Sequence, residues 1–292
     1  MTYYFNPGKS YLYYKAGIEI ALLLGKDELI ASAYYSLSAA YSGQFKIDDA
    51  MSALRESQIY YQRASKYAEV AKTLADQASL YLYISDNLKA KEYALKTLTY
   101  LKSNYVNSNL LEDYGTAIAL SILAHLCSLN GEYYRALEYY QKSFAILQKL
   151  DEGNMRHDLS MTEILSGLGR IHYQVGNNAE ALVFFEKANS MASKTLRKDR
   201  LAGVLNDIGA LYLEQEDYDR ALEYFRRSLS VYMELKLSHE TARLEYNLGL
   251  TYFRMGNIDQ ALRMFLSSKH LGENGKFLDI ILCRRRRFKQ HI

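Results

Sequence analysis

The sequence predicts an all-α protein, built as a right-handed superhelical solenoid of stacked antiparallel helix hairpins. Apolar residues recur at helical spacing, and a pair of small residues twelve positions apart recurs along the chain. A single proline, Pro7, leaves little to interrupt helices. Hydrophobic residues make up 49% of the 292 positions, which is enough for a buried core and argues against disorder.

The helical spacing is clearest in the stretch LNDIGALYLEQEDYDRALEYF, which begins at Leu205. Its first half carries apolar or small residues on one helical face, and its second half does the same. The polar segment EQED between the halves predicts a turn, so the unit is a helical hairpin. The two stripes are Leu205, Ile208, Gly209 and Tyr212, then Tyr218, Ala221, Leu222, Phe225, Ser228, Leu229 and Tyr232.

The same hairpin recurs along the chain in one register. The markers are a small residue inside the first helix and another twelve residues later, at the start of the second helix. From Ser38, successive units start 41, 45, 45, 40 and 40 residues apart. The five regular pairs are Ser38 with Ala50, Ala124 with Ala136, Gly169 with Ala181, Gly209 with Ala221, and Gly249 with Ala261; Ser79 with Lys91 keeps the spacing but replaces the small residue.

The recurrence predicts one continuous domain over residues 1–292. Residues 1–26 are expected to form an unpaired N-terminal helix, and residues 27–271 about six hairpins. Residues 272–292 are expected to form a capping helix with a basic tail, Arg284 to Lys289. Small residues let paired helices approach to about 8–10 Å, and each hairpin exposes an apolar edge that the next one covers.

This spacing resembles the tetratricopeptide repeat over roughly residues 31–270. The pattern of that family is carried by Leu205, Ile208, Gly209, Tyr212, Tyr218, Ala221, Phe225 and Ser228, and by Leu248, Gly249, Tyr252, Gly256, Ala261, Phe265 and Ser268. The first position is never Trp, and the proline that usually ends the second helix is missing. A period near 40 resembles the long repeats of kinesin light chains and of bacterial peptide sensors of the Rap and PlcR type.

The residues give no sign of catalytic or metal chemistry. Six histidines are scattered, Cys127 and Cys283 fit no metal-ligand spacing, and no phosphate-binding loop follows a strand. We therefore expect a protein that is not an enzyme and has neither a cofactor nor a metal. A net charge of +3 predicts no nucleic-acid partner, although the basic run Arg284 to Lys289 leaves nucleic acid or an anionic membrane open beside a solvated helix end. No signal peptide or membrane span is indicated, so the expected location is cytoplasmic.

The resemblance implies a peptide-binding groove lined by the first helix of each hairpin. Asn side chains can both donate to and accept from a peptide backbone, Arg can hold a carboxylate, and Tyr offers apolar area with a polar tip. An equally open interpretation for each residue is a local structural role. The groove residues implied by register are Glu163, Ser166, Arg170, Tyr173, Asn206, Asp207, Arg243, Tyr246, Asn247 and Arg254, together with Gly203 and Leu213.

The resemblance also argues against one subtype. Chaperone-tail binders use a Lys at the fifth repeat position, which here is occupied by Tyr35, Asp76, Ser121, Ser166, Asn206 and Tyr246. The sequence therefore predicts a non-catalytic scaffold whose concave groove binds a protein or an internal peptide segment. The alternative is a peptide-responsive sensor or regulatory module of a signalling protein.

Overall fold

The computed structural model describes residues 7–104, 114–150, 155–195 and 197–274. These residues form thirteen α-helices and no β-strand, so the predicted all-α helical-repeat solenoid is confirmed. The helices are α1 (Pro7–Leu24), α2 (Asp27–Gly43), α3 (Ile47–Arg63), α4 (Tyr67–Tyr83), α5 (Asn87–Asn104), α6 (Tyr114–Leu129), α7 (Tyr133–Lys149), α8 (Met155–Gln174), α9 (Asn178–Lys194), α10 (Lys198–Glu214), α11 (Tyr218–Glu234), α12 (Ser238–Arg254) and α13 (Ile258–Asn274).

The chain divides into two compact units, Met1–Glu152 and Gly153–Ile292. In the first unit α2 pairs with α3, α4 with α5 and α6 with α7, while α1 packs on α2. In the second unit the pairs are α8 with α9, α10 with α11 and α12 with α13. Within each unit the second helix of a pair also packs against the first helix of the next pair, which buries the apolar edge of each hairpin.

The predicted domain boundaries stay a prediction. Of the capping helix expected at 272–292, residues 272–274 form the end of α13. The rest of that helix and its basic tail, Arg284 to Lys289, lie outside the described residues.

Three glycines in the first helices of the second unit lie against phenylalanine rings. A Cβ added to Gly209 would lie 2.7 Å from Cδ1 and Cε1 of Phe225, whose ring is fully buried. Non-bonded carbon atoms normally stay about 3.5–4.0 Å apart, so a larger residue fits only if the ring moves. The small residue thus has the packing role that the sequence predicts, and its contact is with Phe225, sixteen residues later. The same arrangement holds for Gly169 with Phe185 and for Gly249 with Phe265.

A buried serine ties the two helices of four hairpins together. In α11 the Ser228 hydroxyl donates to the Ala202 carbonyl oxygen of α10, at 2.7 Å and 26 residues away. This bond gives the hydroxyl a partner where the helices touch, so a polar residue is tolerated in the core. The equivalent bonds join Ser57 to Ala31, Ser143 to Ala117 and Ser268 to Ala242.

The turn between α10 and α11 shows how the hairpins are closed. The Glu216 amide donates to the Leu213 carbonyl and the Asp217 amide to the Tyr212 carbonyl, at 3.2 and 3.0 Å. These two bonds end α10, and Glu216 takes the left-handed conformation that such a helix end requires, with a φ of 61°. The Asp217 carboxylate then accepts from the Arg220 amide and caps α11.

Candidate functional site

The ten predicted groove residues all lie on the first helices of the second unit. We call the surface formed by α8, α10 and α12 the first-helix face, because these helices contact one another directly as well as their own partners. Helix α8 carries Glu163, Ser166, Arg170 and Tyr173; α10 carries Asn206 and Asp207; and α12 carries Arg243, Tyr246, Asn247 and Arg254. Their role in binding stays a prediction.

Two ion pairs join α8 to α10. Arg170 Nη1 lies 2.7 Å from Asp207 Oδ2, and Arg200 Nη2 lies 2.8 Å from Glu163 Oε1. Both pairs span 37 residues, three fewer than the 40 that separate Gly169 from Gly209, so each residue of α8 pairs about one helical turn before its equivalent position in α10. Because the four side chains are only partly buried, each pair contributes little to stability, about 0–1 kcal/mol.

An amide pair and a third arginine join α10 to α12. The Asn247 side-chain amide donates to the Asn206 side-chain oxygen at 2.9 Å, and Asn206 is almost completely buried. Further along, Arg254 contacts the Glu214 carboxylate at 3.0 Å and donates to the Leu213 carbonyl at 3.3 Å. Each of the two steps between first helices is therefore crossed by polar contacts.

Arg243 differs from the other arginines of the first-helix face. Its side chain is exposed, and within the described part of the chain it forms no ion pair. It lies near the phenol of Tyr232, a buried residue of α11. Burial is the main reason that the pKa of Tyr232 rises to about 12; nearby Arg243 lowers this pKa, and Asp207 raises it further.

The hydroxyl group of Tyr232 lies beside Gly203 on the first-helix face. A Cβ added to this glycine of α10 would lie 3.5 Å from the Tyr232 hydroxyl oxygen. The neutral phenol of Tyr232 and the guanidinium of Arg243 are therefore both hydrogen-bond donors close to the step between α10 and α12.

A carboxylate near the start of α10 is held ionised by two arginines. The Asp199 oxygens accept from Arg197 Nε and Nη2, both at 2.8 Å. Burial favours the neutral acid, yet the hydrogen bonds and charge of Arg197, with the charge of Arg200, hold the pKa of Asp199 below its usual value. Asp199 therefore stays charged near the ion pairs of the first-helix face.

Several residues in these contacts were not predicted from the sequence. Arg200 and Glu214 on α10 pair with the predicted Glu163 and Arg254, and Tyr232 enters from the second helix α11. A usable signal exists for the first two, since oppositely charged residues stand 37 or 40 positions apart, close to one repeat length. No sequence signal marks Tyr232, which falls on a packing stripe.

The remaining predicted residues are a serine and two tyrosines. Ser166 is buried, and its hydroxyl has no hydrogen-bond partner in the described structure. Tyr246 is half-buried, with its ring centroid 5.4 Å from that of Phe265. Tyr173 is half-buried at the end of α8. Ser166 and the two tyrosines border the charged residues.

Neither a metal-binding cluster nor a membrane-spanning helix occurs among the residues that the structure describes. No group of three or more His, Cys, Asp or Glu side chains is arranged to hold a metal ion. None of the described helices combines the length and the apolar character needed to cross a bilayer.

The chain matches a protein-family model and resembles several solved structures. The model described as tetratricopeptide repeat matches residues 115–194, 160–234 and 200–268, which together span more than half of the chain. A comparison with curated protein sequences finds no match.

Three solved structures share the fold at low identity. BtubC from P. vanneervenii is 17% identical, with 93% of each chain covered and a TM-score of 0.57. The Rap conjugation gene regulator of plasmid pLS20, in complex with the Phr* peptide, is 15% identical, with 92% of this chain and 70% of that chain covered and a TM-score of 0.66. A kinesin light chain repeat protein of Podosopora anserina is 16% identical, with 72% and 98% covered and a TM-score of 0.51.

Proposed function

Because this chain belongs to the tetratricopeptide repeat family, we propose that it is a non-catalytic scaffold that binds a protein or peptide on the first-helix face. The observation that carries the proposal is the set of polar side chains across α8, α10 and α12, with the Asn206–Asn247 amide pair between two of the helices. A face stabilised only by packing has no need of amides and arginines at every step.

The ligand is an extended peptide with an acidic side chain. Amide groups such as those of Asn206 and Asn247 can donate to and accept from a peptide backbone at once. Arg243 can hold a carboxylate, and the Tyr232 hydroxyl can add a hydrogen bond beside it. Neighbouring helices lie about 10 Å apart, so the three first helices span about 20 Å, the length of about six extended residues.

Selection from a random peptide library tests this proposal. The wild-type chain should enrich acidic peptides, and Arg243→Ala should weaken their binding at least about tenfold, since a charged hydrogen bond is lost. Asn247→Ala should weaken binding by a similar factor.

The matched control is Arg263→Ala, which removes an exposed arginine from the second helix α13. This variant should bind like the wild type. Equal binding by all four proteins, or enrichment of basic peptides, would refute the proposed site.

A second candidate function is a peptide-responsive sensor. The ion pairs and the amide pair each connect one repeat to the next, so a ligand that replaces them changes how tightly consecutive repeats are coupled. The pLS20 Rap regulator, whose structure contains the Phr* peptide, shares this fold.

Small-angle scattering separates the two candidates. A sensor should become more compact when a selected acidic peptide binds, because the repeat-to-repeat contacts rearrange. A rigid scaffold should bind the same peptide with an unchanged radius of gyration.

A further inference from the structure

Helix α1 carries apolar residues on two opposite faces, and only one of these faces is covered. Ile18 and Ala21 are buried, and Ile18 packs with Leu37 of α2 and Ala53 of α3. The opposite face exposes Leu12, Tyr13, Ala16, Ile20, Leu23 and Leu24, with Leu23 88% exposed. A contiguous exposed apolar face usually marks a contact surface, so this face is suited to a contact that the isolated chain lacks.

The exposed face has the spacing of a helix-pairing seam. Tyr13, Ala16, Ile20 and Leu23 follow one another at intervals of three, four and three residues, which is the a and d spacing of a two-helix contact. Leu12 and Leu24 border the seam at its two ends. Near its centre Gly17 has no atom within 4 Å of the place where a Cβ would stand, so a second helix has room to approach.

We propose that the chain self-associates through α1, with the α1 helices of two copies antiparallel about a two-fold axis. The seam is symmetric about residue 18, so Tyr13 lies level with Leu23 of the partner subunit and Ala16 with Ile20 of the partner subunit. Each of these two pairings then places a larger side chain against a smaller one across the helix contact. In a parallel pair Ala16 would face its own copy and leave a gap, while Tyr13 would face Tyr13.

The charges beside the seam favour the same orientation. Lys15 and Glu19 lie one turn apart on one flank of α1 and are both exposed. In an antiparallel two-fold pair these flanks meet on the same side, and Lys15 is offset from the partner's Glu19 by about 3 Å along the axis, two residues at 1.5 Å each. A parallel pair places the two flanks on opposite sides, so the reciprocal Lys–Glu attraction is lost.

The size of the face predicts a reversible dimer. Helix α1 has 18 residues and is therefore about 27 Å long, and one face of a helix is about 10 Å wide. A contact of a few hundred Å² per copy is at the low end of specific interfaces. The dissociation constant should therefore lie in the micromolar range.

Sedimentation across a concentration series tests the proposal. The full chain should shift from monomer to dimer as its concentration rises through the micromolar range. Ile20→Lys and Leu23→Lys each place one charge per copy inside the seam, so each should raise the dissociation constant at least about 100-fold.

The matched control is Leu88→Lys, which changes an equally exposed leucine at the start of α5, 85% exposed, and should leave the dimer intact. At a concentration below the dissociation constant, where every protein is monomeric, circular dichroism melting of each variant should give the wild-type profile, because neither Ile20 nor Leu23 is buried. A chain that stays monomeric at all concentrations, or a dimer that tolerates Ile20→Lys and Leu23→Lys, would overturn the proposal.

Disulfide trapping tests the orientation, in a chain where Cys127→Ser and Cys283→Ser remove the native thiols. A mixture of Tyr13→Cys and Leu23→Cys chains should form crosslinked heterodimers, because these positions are level in the antiparallel pair. Either variant alone should crosslink at least tenfold less, since identical positions are then about 15 Å apart along the axis. Equal crosslinking by the single variants and the mixture would overturn the antiparallel arrangement.

Discussion

Replacing Gly209 by alanine gives the most direct test of how the hairpins are packed. The added Cβ would lie 2.7 Å from two carbons of the Phe225 ring, about 0.8 Å inside a normal contact. The ring is completely buried and cannot swing into solvent, so the helices must separate or the ring must leave its preferred rotamer. Overpacking of this kind costs about 1–3 kcal/mol, and alanine recovers up to about 1 kcal/mol of helix propensity. The expected net loss is about 1–2 kcal/mol.

Urea denaturation followed by circular dichroism measures this loss. Gly203→Ala, in the same helix, is the matched control: its nearest new contact is at 3.5 Å, so it should be neutral or stabilise by up to about 1 kcal/mol. Adding Phe225→Leu to Gly209→Ala should cost less than the two single losses together, because the smaller side chain leaves space for the methyl group. Equal stability of Gly209→Ala and Gly203→Ala would refute the packing argument.

Three further predictions concern buried polar groups. Ser228→Ala leaves the Ala202 carbonyl without its partner and should lower the free energy of unfolding by about 1–2 kcal/mol. The control Ser230→Ala removes a hydrogen bond at the surface and should change the free energy of unfolding little. Equal urea midpoints for the two variants would contradict this. Because the folded pKa of Tyr232 is about 12 against 10.0 for a free tyrosine, its contribution of about 2–3 kcal/mol is complete below pH 10 and is lost as the pH rises through about 12. Tyr232→Phe should make the free energy of unfolding depend less on pH between about 10 and 12, and an unchanged pH dependence would exclude this role for Tyr232. The lowered pKa of Asp199 contributes stability above the unfolded pKa near 3.8, and this stability is lost in more acid solution. Arg197→Ala should therefore reduce the free energy of unfolding at neutral pH and weaken its dependence on acid pH. Urea unfolding at several pH values measures both effects.

The repeat pattern made the fold predictable because packing constraints recur at each hairpin. Gly209 and its equivalents must be small beneath a ring, and Ser228 and its equivalents must reach a carbonyl, so the same residue types return at a fixed spacing. Helix ends were harder to place. Glu216 takes a left-handed conformation that favours glycine, and no sequence signal marks it.

The candidate site was only partly predictable, since its contacts join helices about forty residues apart. Register predicts that Arg170, Asn206 and Asn247 lie on one side of the first helices, because the repeat fixes which side of a helix each position occupies. It did not show that Arg170 and Asp207 pair with each other, because an ion pair depends on the offset between neighbouring helices. Tyr232 falls on a packing stripe in the sequence, which does not show that its hydroxyl lies beside Gly203 on the face.

Hydrogen exchange of the chain with and without a selected acidic peptide tests the central claim most directly. If the first-helix face binds the peptide, amide exchange should slow in α10 and α12 around Asn206, Arg243 and Asn247, and should stay unchanged in the second helices α11 and α13. Slower exchange confined to α11 and α13, with α10 and α12 unaffected, would contradict the account.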